Sequence, residues 1–192
     1  MAPVTELAGP LAIVAGVLAV GGAMKIADPA ATQAMLGALG MPAAPWLARG
    51  LGLLELAAGL AAALLGGRVA SAAVAGLYLV FAAVAWRLVR GGQASSCGCF
   101  GRLSAPATWI HVTADLAAAA VAVGAAVTAA PGLAGFGASG PLQQVTLLAL
   151  VAIGTWLGVA ILTVLPATLV AARRVPARAA VQEFRIGPPA AR

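Results

Sequence analysis

The sequence predicts an all-α protein: a polytopic transmembrane helix bundle of about five helices over residues 1–172, followed by a basic, flexible tail over 173–192. Three observations carry this. Hydrophobic residues make up 62% of the chain and charged ones 8%, with a mean hydropathy of +1.04. A soluble domain carries about 25% charged residues, so this chain cannot cover its surface with polar groups, and lipid is its expected solvent. The apolar residues also fall into five runs near the roughly 20 residues needed to cross the hydrocarbon. Finally, they are mostly Ala, Leu, Val and Gly, with only 5% aromatics, and small residues let helices pack closely inside a bilayer.

The first run is about Leu7–Met24. Met1 to Glu6 holds no Lys or Arg, so the run is expected to stay as a helix rather than to act as a cleaved signal. Asp28-Pro29 then opens a short segment ending at Gly40. Asp as cap, Pro in the first turn and Gly past the end predict a helix over Pro29–Leu39 at the interface. The second span is about Leu47–Gly67, with Arg49 at its edge and Glu55 inside. Gly66-Gly67-Arg68 leaves room only for a tight hairpin into the third, Val69–Trp86. The fourth, Thr108–Ala130, carries His111 and Asp115 in its first turns, and a Gly-rich loop, Pro131 to Pro141, leads to the fifth, Leu142–Ala172. Gly154 and Gly158 in that last span suit close helix approach, inside the bundle or against another subunit, and Pro166 is expected to kink it.

The net charge of +6 and a pI near 11.1 could suggest nucleic acid. The basic residues, however, sit beside the apolar runs and in the tail, where membrane topology explains them. With the N-terminus outside, Lys25, Arg49, Arg87, Arg90, Arg102, Arg173, Arg174, Arg178, Arg185 and Arg192 fall on the cytoplasmic side and only Arg68 falls outside. The expected location is therefore the plasma membrane, multi-pass, with the C-terminus and the loop before the fourth span inside. Trp46, Trp86 and Trp109 lie near helix ends, as interfacial anchors do.

Both cysteines of the chain lie in Ser95-Ser96-Cys97-Gly98-Cys99-Phe100-Gly101-Arg102. Residues two apart can reach the Cα separation of a disulfide, roughly 4.4–6.8 Å, and Gly98 relaxes the backbone of the small ring. A strained, exposed disulfide is a labile one. Arg102 and the N-terminus of the next helix would favour a thiolate. Two thiolates can equally clamp a soft ion such as Cu(I), whereas a closed zinc site needs about four ligands and the chain has one His. A structural turn with incidental thiols is the third reading, and spacing alone leaves all three open.

Cys97-Gly98-Cys99-Phe100-Gly101 resembles the CGCFG signature of the methylamine utilisation protein MauE family, within the wider group of DoxX-like membrane proteins. Lys25-Ile26-Ala27-Asp28-Pro29, Glu55-Leu56-Ala57-Ala58-Gly59 and Trp109-Ile110-His111-Val112 resemble further segments of that family. The resemblance covers about residues 7–130 and implies a four-helix DoxX-like core plus a looser fifth C-terminal helix. It also implies a role in maturing an exported, disulfide-rich enzyme subunit, with a thioredoxin-like protein or the exported client as partner.

Three further side chains join the candidate site. Glu55 inside an apolar helix is costly unless paired or protonated, so it is read as a proton carrier, as a partner for a basic residue on the loop, or as a hydrogen-bonded structural carboxyl. His111 and Asp115, four apart, share a helix face; the imidazole could take a thiol proton and the carboxylate could orient it, or the two simply stabilise the helix. The expectation is a membrane thiol–disulfide oxidoreductase or disulfide-relay component acting through Cys97, Cys99, His111, Asp115 and Glu55. Its rivals are a soft-metal binding protein and an accessory subunit of a larger membrane complex. No cofactor is dictated; a quinone or a soft metal is compatible with these residues. An inside loop and an exported client leave two routes: electrons enter from a cytoplasmic thioredoxin and cross the membrane, or the orientation is inverted.

Overall fold

The computed structural model describes residues 6–91, 97–136 and 140–186. Ser95, Ser96 and Arg192 lie outside the described residues, as do the side chains of Arg102 and of the tail from Arg173. Six α-helices run in chain order among the described residues: α1 Ala8–Ala27, α2 Ala30–Ala38, α3 Pro45–Leu64, α4 Gly67–Arg90, α5 Trp109–Thr128 and α6 Pro141–Ile186. All but α2 are long and apolar enough to cross a membrane, α6 over Pro141–Ala172. The five predicted spans are all present, each within a few residues of its expected ends. The helical backbone of α6 continues to Ile186 and passes through Pro166.

The bundle is built from two intimate pairs, α1 with α3 and α4 with α5, and α6 leans on α1 from outside. Small residues make the first pair possible. A Cβ added to Gly22 would lie 2.5 Å from the Gly52 carbonyl oxygen, so nothing larger than glycine permits this crossing. Gly154 and Gly158 are used the same way inside the chain, packing on Ile13 and Val17 of α1. Leu53, Leu60, Val80, Val127, Leu150 and Trp156 stay exposed on the outer surface, where lipid is their expected solvent.

At one end, α3 turns into α4 through Leu65 and Gly66 alone. Gly66 has φ +67° and ψ −145°, a region open essentially to glycine, and its missing side chain is replaced by the Gly132 backbone of the α5–α6 loop. The Gly67 N–H donates to the Ala130 carbonyl at 2.8 Å, which ties the two turns together. Gly66→Ala is expected to cost at least about 1–3 kcal/mol through backbone strain alone, read as an earlier midpoint in denaturing-detergent titration. An unchanged midpoint contradicts this account of the turn.

The other end holds the C-termini of α1 and α4, the N-termini of α3 and α5, and all of α2. Trp46, Trp86 and Trp109 are exposed there, each at a helix end, with the Arg90 guanidinium 4.3 Å from the Trp86 ring centre. Lys25 behaves otherwise. Instead of facing water it is 2% exposed and points into the bundle.

Candidate functional site

The Cys97–Cys99 loop lies under α2 at this end. Asp28 accepts a hydrogen bond from the Ala30 N–H at 3.1 Å, starting α2 directly after α1 and folding it over the loop. The buried Thr32 hydroxyl donates to the Gly98 carbonyl at 2.9 Å. Gly98 takes φ +68°, and an added Cβ would lie 3.0 Å from that of Met35. The glycine between the cysteines thus serves both the turn and the close seat of α2. Cys97 N–H donates to the Ala105 carbonyl at 3.0 Å, Phe100 N–H to the Ser104 hydroxyl at 3.1 Å, and the Phe100 ring is buried with Val17 and Leu162.

Lys25 anchors the loop to the bundle. Its ammonium donates to Glu55 Oε2 at 2.6 Å and to the Cys99 carbonyl at 3.0 Å, and it lies 5.1 Å from the Phe81 ring centre. Glu55 therefore pairs with a lysine 30 residues earlier rather than with a basic residue of the loop. Its Oε1 is buried with no hydrogen-bond partner among the described residues.

Both cysteines carry free thiols, Cys97 buried and Cys99 half-buried. The pair is asymmetric. A hydrogen bond from the Cys99 thiol lowers the pKa of Cys97 below the ordinary thiol value, against burial, and the Cys99 N–H and the Lys25 charge add to the lowering. Cys99 is pushed well above it by the same hydrogen bond and by burial. A negative charge on the pair therefore sits on Cys97. Removing the donor by Cys99→Ala is expected to move the alkylation of Cys97 to higher pH, read as the pH of half-maximal rate with a neutral maleimide. A shift to lower pH, or none, contradicts the asymmetry.

His111 is held on both ring nitrogens. Thr108 caps α5, and its N–H donates to Nδ1 at 3.3 Å; Nε2 lies 3.1 Å from the Leu162 carbonyl oxygen. A backbone N–H can only donate and a carbonyl only accept, so these partners assign the hydrogen to Nε2. The Leu162 carbonyl is available because Pro166, four residues on, has no N–H to give it. The ring is thus oriented by Thr108 and Leu162, not by Asp115, and it must leave one of them to carry a thiol proton.

Cys99, His111, Asp115, Glu55 and Lys25 nevertheless line one cavity of about 20 Å³, with Tyr78 and Phe81 on its wall. That is room for about one water. Asp115 Oδ2, like Glu55 Oε1, is buried without a hydrogen-bond partner among the described residues. Of the five residues expected to act, all but Cys97 meet here, and Cys97 touches the cavity through Cys99, whose Sγ lies 3.5 Å from the Cys97 carbonyl oxygen. Among the described residues, no three His, Cys, Asp or Glu side chains gather as a metal site. A metal at this loop would have the two sulfurs as its protein donors, a set suited to Cu(I).

Sequence reasoning missed Lys25 as a site residue, together with Thr32, Tyr78 and the Leu162 carbonyl. The apolar run before Lys25 and the isolated acid Glu55 were the available signals, since each charge at membrane depth calls for the other.

The family model described as methylamine utilisation protein MauE matches residues 4–132, from just before α1 to just past α5. No curated protein and no solved structure matches the chain.

Proposed function

The chain belongs to the methylamine utilisation protein MauE family, and from that premise we propose that it is a membrane thiol–disulfide relay component supporting the maturation of exported proteins. The observation that carries this reading is the polarised cysteine pair. Cys97 is the thiol most easily ionised and Cys99 is its hydrogen-bond donor, two residues away across a glycine at φ +68°. The thiolate is the attacking form in disulfide exchange, and a neighbouring thiol resolves the mixed disulfide. Cys97 forms the mixed disulfide with a thioredoxin-like partner or client, and Cys99 resolves it, an exchange that runs in either direction with the redox poise. Asp115 and Glu55, each with an oxygen free for one water, receive and return the proton, and His111 joins only when its ring leaves Leu162 or Thr108.

The site end carries the exposed Arg49, Arg87 and Arg90, against Arg68 at the other end. Lys25 drops out of this balance because it is buried. The remaining asymmetry supports a cytoplasmic site end with the N-terminus outside. At that face electrons enter from a cytoplasmic thioredoxin-like protein and cross the membrane.

The test is alkylation trapping in membranes across a series of redox buffers, with an impermeant maleimide reporting the side. The expected result is an intramolecular Cys97–Cys99 disulfide that forms and opens with the buffer, reached from the cytoplasmic side. Thiols that stay reduced at every poise, with one copper per chain lost in Cys97→Ser, overturn the relay in favour of a soft-metal site. Full support of client maturation by Cys97→Ser overturns it in favour of a structural subunit.

A further inference from the structure

Beside the cysteine cavity lies a second, larger one, a cleft of about 290 Å³ between α1, α5 and α6. Its walls are apolar, among them Ile13, Ala118 and Ile161, except for Tyr78 and Asp115. These positions fall in the middle of the helices, and Ala117 and Ile161 on its rim are exposed, so an occupant enters from the lipid. Val17, Tyr78, Asp115 and Leu162 line both this cleft and the cavity that holds Cys99. A molecule in the cleft is thus separated from the thiol site only by side chains that the two spaces share.

We infer that the cleft binds the ring of an isoprenoid quinone, which serves as electron acceptor for the cysteine pair. The volume lies just below the roughly 300–1,000 Å³ of small-molecule sites, enough for a ring while its tail stays in lipid. An acyl chain would fit the apolar walls but would offer nothing to Asp115 Oδ2, in a side chain 5% exposed and without a hydrogen-bond partner among the described residues. A carboxyl group donates to a carbonyl when protonated and accepts from a hydroxyl when ionised. That double capacity matches a ligand whose ring oxygens alternate between carbonyl and hydroxyl. The Tyr78 hydroxyl donates to the Val14 carbonyl at 2.6 Å, so its oxygen remains able to accept from the hydroxyl form. The reaction balances: both S–H bonds break, one S–S bond forms between Cys97 and Cys99, two electrons pass to the quinone and two protons go to its oxygens; the thiols of the partner then re-reduce the pair by exchange through the same mixed disulfide at Cys97. The acceptor role rests on the relay reading; the binding site does not.

The experiment uses the full chain in phosphatidylcholine nanodiscs with a photoreactive azido-ubiquinone of short tail, followed by peptide mapping. Saturable labelling on α5 or α6 is expected, competed by decylubiquinone. Asp115→Leu, and Ala117→Phe at the lipid-exposed rim, are each expected to lower labelling about tenfold or more, whereas Cys97→Ser/Cys99→Ser retains it. In the absence of oxygen, the reduced protein should yield one quinol per disulfide formed. Equal competition by decylbenzene, which has no ring oxygens, shows a lipid groove only and overturns the site, as does labelling indifferent to both cleft variants. Labelling as expected with thiols that never oxidise keeps the site and removes the relay. Thiols that cycle without labelling keep the relay and remove the site.

Discussion

Cys97→Ser is expected to lose essentially all exchange with a partner disulfide, while Cys99→Ser accumulates a covalent mixed disulfide through Cys97. The order of attack follows from two opposing features. Cys99 is half-buried where Cys97 is buried, which favours it as the first residue to meet a partner. Cys97 is the more acidic one, because Cys99 donates a hydrogen bond to it and Lys25 lies near. Each pKa unit changes the thiolate fraction up to tenfold near neutral pH, about 1.4 kcal/mol. Over the loop, α2 is held by the Thr32–Gly98 hydrogen bond and by Met35 and Leu36, which pack with Leu88. Such a bond contributes a net ~0.5–1.5 kcal/mol, and a docking partner can replace it. On the relay reading ionisation decides, and Cys97 is expected to attack once α2 is displaced. Non-reducing gels of membranes carrying each variant, probed for the partner, read the outcome. A trapped adduct in Cys97→Ser and none in Cys99→Ser reverses the roles.

The helices were legible because lipid imposes a simple rule: about twenty apolar residues, interrupted by Gly, Pro or charge, make a span. Asp28-Pro29 and Gly40 marked α2, and Gly66-Gly67 marked the tight turn, for reasons local to the backbone. Gly98 was legible in the same way, since a positive φ is a local demand. The pairings that assemble the site are not local. Glu55 and Lys25 are separated by 30 residues, His111 and the Leu162 carbonyl by 51. A lysine in the last turn of a span reads as an interfacial charge, because in most helices its long stem reaches water. Here the Gly22–Gly52 crossing brings α1 so close to α3 that the ammonium meets Glu55 first. Pro166 shows the same limit. Alone it announces a kink, but its consequence, a carbonyl freed for a histidine on another helix, exists only once α6 packs beside α5.

Replacing that lysine is expected to have the largest effect on stability of any single change at the site. Lys25→Met keeps the length of the side chain but leaves Glu55 buried without its counter-charge and the Cys99 carbonyl without its donor. Breaking a buried ion pair from one side costs about 3–5 kcal/mol, because the remaining charge is stranded. The same source of cost predicts its relief: Lys25→Met/Glu55→Leu removes both charges and is expected to recover most of the loss, since a buried pair and a well-packed apolar pair differ little. What the double variant does not restore is the tether on Cys99. Its alkylation profile should therefore stay altered, with Cys97 ionising at higher pH because the lowering by Lys25 is gone. Denaturing-detergent titration in mixed micelles reads the stability, and maleimide labelling against pH reads the tether. A Lys25→Met protein as stable as the parent shows that the pair is not what holds α1 to α3. A double variant with normal thiol titration shows that Lys25 does not position the cysteines.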